Sequence, residues 1–191
     1  IGILSVDFTL DSVLNETNIS GFNNTNYSFT RTLSEGIHTW RIGACDSGLG
    51  CLESAIRNII IDTTAPAISN GQPNSTLPLD TTVTPIRVNT NEAATCRWST
   101  TDQAYGSMPN TFAGAGGSTH TSTRGSLTNG NSYTTYVRCN DTSGNINTSS
   151  YTFTFSVAAA VQTCGNNIRE GTEICDGTDL NSQTCITQGF T

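Results

Sequence analysis

The chain has 191 residues, a net charge of -7 and only 12% charged side chains. Its eight cations are all arginine and form no basic cluster, which argues against nucleic acid or an anionic membrane surface as a partner and excludes a lysine-dependent phosphate loop or a lysine-to-asparagine crosslink. Seven cysteines, an excess of Thr, Ser, Asn and Gly, and no C-x-x-C pair or histidine cluster predict a secreted, disulfide-stapled, all-β protein.

No stretch reads as a membrane span or a signal peptide, since the apolar run Ala158 to Val161 is far too short. An export signal is expected to lie upstream of residue 1 or to have been removed. Direct membrane insertion is not expected.

In chain order, Leu4, Val6, Phe8 and Leu10 alternate with Ser5, Asp7 and Thr9, the period of a strand with one dry face. Two readings stand: a strand of its own unit, or a terminal donor strand that completes the sheet of a neighbouring copy. Sequons follow at Asn15, Asn18, Asn23 and Asn26, and recur at Asn74, Asn140 and Asn147, so a surface carrying covalent N-glycans is expected. Cys45 and Cys51 enclose a short ring; closing it adds about 2.4 kcal/mol in the chain-entropy model, enough to shape a turn. Asp46-Ser47-Gly48 within that ring reads as a turn, not a nucleophile segment.

The stretch Leu33, Gly36, His38, Trp40, Asp46, Gly48 and the run Ile56 to Ile61 is repeated as Leu127, Gly130, Tyr133, Tyr136, Asp141, Gly144 and the run Tyr151 to Val157. Asp46 and Asp141 lie 95 residues apart, a period that fits one β-sandwich unit. The second copy has chain for a whole unit, over residues 67–157. The first, residues 1–62, matches only the back half, so its opening strands are expected from chain ahead of residue 1 or from another subunit. Between them, residues 63–66 end in Pro66 and form a short stiff joint.

In the second unit Tyr151, Phe153, Phe155 and Val157 share one face of the closing strand. Tyr133, Thr135, Val137 and Cys139 share a face of the strand before it, and Ala94, Cys96 and Trp98 share a face of an earlier one. Cys96 and Cys139 both point into the core, and a bridge between them closes a loop of about 44 residues, worth up to about 4 kcal/mol. Trp98 is placed to pack on that bridge. Tyr133, six residues after Leu127, enters its strand as a corner tyrosine whose hydroxyl bonds back to the nearby backbone. His38 takes the same place in the first unit and reads as a packed or corner residue. His38 and His120 belong to different units, the glycine-rich run Ala113 to Gly117 lacks G-K-[ST], and no carboxylate pair stands out, so no catalytic residue is nominated.

The D-T-T-A-P joint ending at Pro66, the Asp141-Thr-Ser-Gly-Asn turn and the Leu-x-x-Gly starts resemble the tandem immunoglobulin-like and fibronectin type III-like repeats of bacterial and archaeal surface proteins. The resemblance spans roughly residues 1 to 157. It implies tandem immunoglobulin-like β-sandwiches, a cell-surface location and service in stalks, adhesins or filaments, with copies of the chain itself as partners.

After a linker at residues 158–163 the character changes. Residues 164–191, with Cys164-Gly-Asn-Asn and Glu173-Ile-Cys175-Asp176, resemble the short cysteine-rich repeats of secreted proteins. That likeness implies a small disulfide-rich module in which Asn166, Glu173 and Asp176, with Asp179, gather calcium. The competing reading is a plain polar turn held by a Cys164 to Cys175 bridge. Cys185 is then left to pair beyond residue 191 or with another chain.

The function expected from the sequence is therefore non-enzymatic: an extracellular structural segment of a filament, adhesin or stalk, assembled by strand complementation. Two other readings stand beside it. One is the spacer region of a large secreted hydrolase; the other is a carbohydrate-binding module using Trp98 or Tyr105 to stack on sugars.

Overall fold

Twelve strands and one 3-10 turn make up the regular structure of the computed structural model, which describes residues 2–48 and 50–160. The chain divides into two compact units, Ile1–Thr64 and Ala65–Thr191.

Unit 1 holds β1 (Ile3–Leu10), β2 (Val13–Asn18), β3 (Gly36–Asp46), β4 (Cys51–Glu53) and β5 (Arg57–Ile61). They form one antiparallel sheet in the order β2-β1-β3-β4, with β5 continuing along β3 beyond β4. The link from β1 to β2 is a tight hairpin whose two central residues, Asp11 and Ser12, have φ of 49° and 66°. Such left-handed pairs match the twist of the flanking strands. Ile3–Leu10 is thus a central strand of its own unit, bonded to β2 on one side and β3 on the other.

Unit 2 holds β6 (Ile68–Gln72), β7 (Thr76–Leu77), β8 (Thr84–Ser99), β9 (Asn110–Thr111), β10 (Gly117–Arg124), β11 (Ser132–Asp141) and β12 (Tyr151–Val157). The long strand β8 organises them. Its first half, up to Thr90, pairs with β6 and β10, and its second half pairs with β9 and β11, which in turn carries β12. A strand that changes partners midway is how a sheet turns a corner to face itself. The result is a sandwich-like arrangement of sheet around one core.

Every second residue of β8 points into that core: Ile86, Val88, Ala94, Cys96 and Trp98 are all buried. Facing them are Val137 and Cys139 from β11, Phe153, Phe155 and Val157 from β12, and Leu127. The alternation read from the sequence is the alternation of burial, because one face of each strand is dry. Gly71 on β6 is required by close approach, since a Cβ there would lie 2.6 Å from the Phe153 ring.

Both described disulfides join directly opposed residues of neighbouring strands: Cys96 with Cys139 across β8 and β11, and Cys45 with Cys51 across β3 and β4. The first bridge differs from the immunoglobulin pattern, in which the bridge spans from one sheet to the other. Here both cysteines are core-facing but sit in the same ladder, 4.1 Å apart at Cα, so the bond clamps register within a sheet.

Candidate functional site

Unit 1 repeats the central pairings of the back half of unit 2, with β1, β3 and β5 in the places of the second half of β8, β11 and β12. Phe8 lies opposite Ile42 in β1 and β3 as Trp98 lies opposite Val137 in β8 and β11, and Val6 faces Ala44 as Cys96 faces Cys139. The corners agree too. Thr128 N–H donates to the Tyr133 hydroxyl at 2.6 Å, and His38 Nε2 lies 2.9 Å from the Ser34 carbonyl at the equivalent place. Gly130 and Gly36, just ahead of these residues, both have positive φ, 75° and 126°.

What differs is the cover. In unit 2 the inner faces of β11 and β12 are closed by the first half of β8 and by β10. In unit 1 no described strand takes the place of that first half of β8, and Val6 is the one apolar side chain of the unit that is fully buried among the described residues. Ten of the thirteen large apolar side chains that stay strongly exposed belong to unit 1, but of these only Ile59 lies on the inner face, whose other apolar walls are half-buried. The inner face opens as an apolar trough of about 390 Å³, walled by Phe8, Leu10, Trp40, Ile42 and Ile59 and roofed on one side by Tyr27 and Phe29.

That roof occupies the position of β10. Arg31 stacks over the Phe8 ring at 5.9 Å as Arg124 stacks over Trp98 at 6.0 Å. Two residues earlier, Phe29 stacks on Phe8 with centroids 5.4 Å apart, where Ser122 accepts the Trp98 indole N–H at 3.0 Å. Yet residues 25–34 form no strand, and among the described residues no backbone-to-backbone hydrogen bond involves residues 25–33, while the Thr30 carbonyl accepts from Arg31 Nη1 at 2.7 Å. Unpaired N–H and C=O groups beside an apolar trough form an acceptor edge for a β-strand. The sequence periodicity did not mark this edge; the signal was present in the alternation of Tyr27, Phe29 and Arg31.

The polar constellations of both units serve turns and corners. His38 Nδ1 is 2.8 Å from Asp11 Oδ2 and its Nε2 is 3.4 Å from the Ser34 hydroxyl, a superficial Asp-His-Ser order. But Nε2 is closer to the Ser34 carbonyl, which only an N–H can satisfy. Both ring nitrogens therefore donate. The Asp11 hydrogen bond first, and the Ser34 carbonyl second, raise the His38 pKa above its ordinary value, and with both nitrogens donating the ring offers no lone pair to activate a serine. Asp46 accepts from the Gly48 and Gly50 N–H groups at 2.7 and 3.0 Å, and Asp141 accepts likewise from Ser143 and Asn145. His120 is fully buried with Nε2 on Thr90 Oγ1 at 3.0 Å; its Nδ1 has no partner among the described residues.

The sequons separate by geometry. Asn147 accepts from Cys139 N–H and donates to the Pro66 carbonyl, both at 2.9 Å. The Asn140 amide nitrogen, in the orientation that satisfies its neighbours, donates to Gly144 and Asn145 carbonyls at 3.2 Å. By contrast Asn26 and Asn74 are exposed, and Asn15, Asn18 and Asn23 accept hydrogen bonds through oxygen alone. Of the sugar-stacking candidates, Trp98 is buried in the core, while Tyr105 is half-buried with Arg97 over its ring at 5.0 Å. Cys164, Cys175, Cys185 and the calcium candidates Asn166, Glu173, Asp176 and Asp179 lie outside the described residues.

No protein-family model matches the chain, and no curated protein matches it. Among solved structures it is similar to the fibronectin(III)-like modules of CbhA from Clostridium thermocellum, at 10% identity and a TM-score of 0.37, covering 82% of this chain and 79% of that one. Nothing about function follows from that likeness. Among the described residues, no helix is long and apolar enough to cross a membrane.

Proposed function

We propose that the chain is a non-enzymatic structural segment of an extracellular, cell-surface assembly, a filament, adhesin or stalk, in which unit 1 is completed by a β-strand from chain ahead of residue 1 or from a neighbouring copy. One observation carries the reading: unit 1 presents as an open apolar trough the surface that unit 2 closes into a core. Soluble proteins do not leave such a face wet, because it is a template for association. Two disulfides support an oxidising compartment. The open sequons fit a surface on which attached glycans limit contact to the trough, and the cysteine-rich segment at residues 164–191 is a second candidate contact, with calcium as its candidate ion.

Where the strand comes from a neighbouring copy, head-to-tail acceptance is a heterologous contact, and such contacts propagate into fibres unless a rotation closes them. Negative-stain electron microscopy of the native material tests this directly. Regular filaments or beaded rods are expected. Isolated particles of single-chain size overturn the assembly reading, and rods ending in one large globule assign the chain instead to the spacer of a secreted hydrolase.

A further inference from the structure

We infer that the Cys45–Cys51 bridge is a thiol-exchange site: a small thiol opens it at Cys51 while unit 1 stays folded, and the same two sulfurs close again when the disulfide of that thiol is offered. This chemistry does not depend on what completes unit 1.

The two described bridges differ in access. Cys96 and Cys139 have no exposed surface, so a thiolate reaches them only after unit 2 opens. Cys51 is exposed and Cys45 half-buried. Cys45 alternates along β3 with Ile42, a wall of the trough, and Ala44, which turns the bridge to the opposite face of the sheet. At the 95-residue period Cys45 and Cys51 correspond to Asn140 and Ile146. Ile146 is 45% exposed although unit 2 is closed, so the layer that closes a unit leaves this place open. Accessible disulfides are the labile ones, and buried ones resist reduction.

The turn that the bridge spans does not need its sulfurs. Asp46 holds that turn by accepting from the Gly48 and Gly50 N–H groups at 2.7 and 3.0 Å, and its own N–H donates to the Gly50 carbonyl at 2.8 Å. In unit 2 Asp141 makes the matching bonds, accepting from Ser143 and Asn145 N–H at 2.8 Å and donating to the Asn145 carbonyl at 3.1 Å. There Asn140 pairs with Ile146 as Cys45 pairs with Cys51, with no covalent link between them. The turn of unit 1 therefore outlasts reduction and keeps both sulfurs on opposed residues, placed to re-form their bond.

In the first step a thiolate attacks Cys51 Sγ and forms a mixed disulfide. The bond to Cys45 breaks with its electron pair on Cys45 Sγ, which takes a proton from water. A second thiolate attacks the added sulfur and releases the Cys51 thiolate. The two thiols leave joined as their disulfide, two electrons poorer, and the protein holds a dithiol. Excess of that disulfide drives both steps backwards.

The test treats the native full chain with 2-mercaptoethanol, traps free thiols with a maleimide at set times and reads each cysteine by peptide mass spectrometry. Cys45 and Cys51 should be trapped together, about a hundredfold faster than Cys96 and Cys139, because the buried bridge waits on the opening of unit 2. Hydrogen exchange at Gly48 and Gly50 should stay slow in the reduced chain, and the disulfide of 2-mercaptoethanol should restore the bridge. An Asp46→Ala chain should open as readily but close about tenfold more slowly, since its turn no longer holds the sulfurs together. Equal trapping rates for the two bridges, loss of protection at Gly48 and Gly50 on reduction, or unchanged closure in the Asp46→Ala chain would overturn the inference.

Discussion

Val137 and Ile42 hold the same place in two copies of one strand, and their fates differ: Val137 has no exposed surface, while Ile42 looks into an open trough. The same backbone pairing surrounds both. The ladder of β1 and β3 therefore does not need the missing layer to form its register, whereas most of the burial that stabilises a sandwich comes from that layer. Local pairing and core formation are separable here.

The largest effect expected from breaking the comparison lies in the bridges. Replacing Cys96 and Cys139 together by serine should destabilise unit 2 by about 4 kcal/mol, and the same change at Cys45 and Cys51 should cost unit 1 about 2.4 kcal/mol, since the stabilisation grows with the loop closed; denaturant melts followed unit by unit give both values. Next, Val137→Ala should cost about 2 kcal/mol in lost transfer energy and cavity, and Ile42→Ala less than half of that until the trough is filled. If Ile42→Ala proves as costly as Val137→Ala, something already covers unit 1. Tyr133→Phe should cost about 1 kcal/mol by leaving the Thr128 N–H without its partner, visible as a lower denaturation midpoint with an unchanged slope.

The two histidines sharpen the contrast with opposite signs. Burial lowers the His120 pKa below 6.5, so the unfolded chain protonates first and unit 2 loses stability as pH falls below about 6.5. His38 is raised above 6.5, by Asp11 foremost, so its contribution to unit 1 is complete below about 6.5 and disappears as pH rises through the raised value. Imidazole titration by NMR should show one midpoint on each side of the ordinary value. The smallest effect concerns modification: glycopeptide mapping of native material should find sugar among Asn15, Asn18, Asn23, Asn26 and Asn74 and none at Asn140 or Asn147.

Alternation made β11 and β12 legible, because each has one dry face over its whole length. It also placed Cys96 and Cys139 inward. It could not say whether they would meet across a core or along a ladder, since side-chain direction names a face and not a neighbour. The length of β8 was hidden for a related reason: Thr84 to Ser99 keeps one phase while its partners change. Tyr27, Phe29 and Arg31 alternate as a strand does, but a strand is defined by its partner, and theirs is not among the described residues. The cation of Arg124, buried among Trp98, Tyr133 and Phe155 and hydrogen-bonded to the Thr134 carbonyl, gave no sign in the sequence, because a lone arginine at a strand end reads as surface.

The clamp between β8 and β11 also fixes how far the chain can lengthen when its two ends are drawn apart. Cys96 and Cys139 are separated by 43 residues in sequence and by 4.1 Å at Cα. Fully extended, that stretch would pay out roughly 150 Å at about 3.4 Å per residue. With the bond intact, none of that slack is released: the pull runs through the sulfurs from β8 straight into β11, and the loops and β10 between them stay off the line of force.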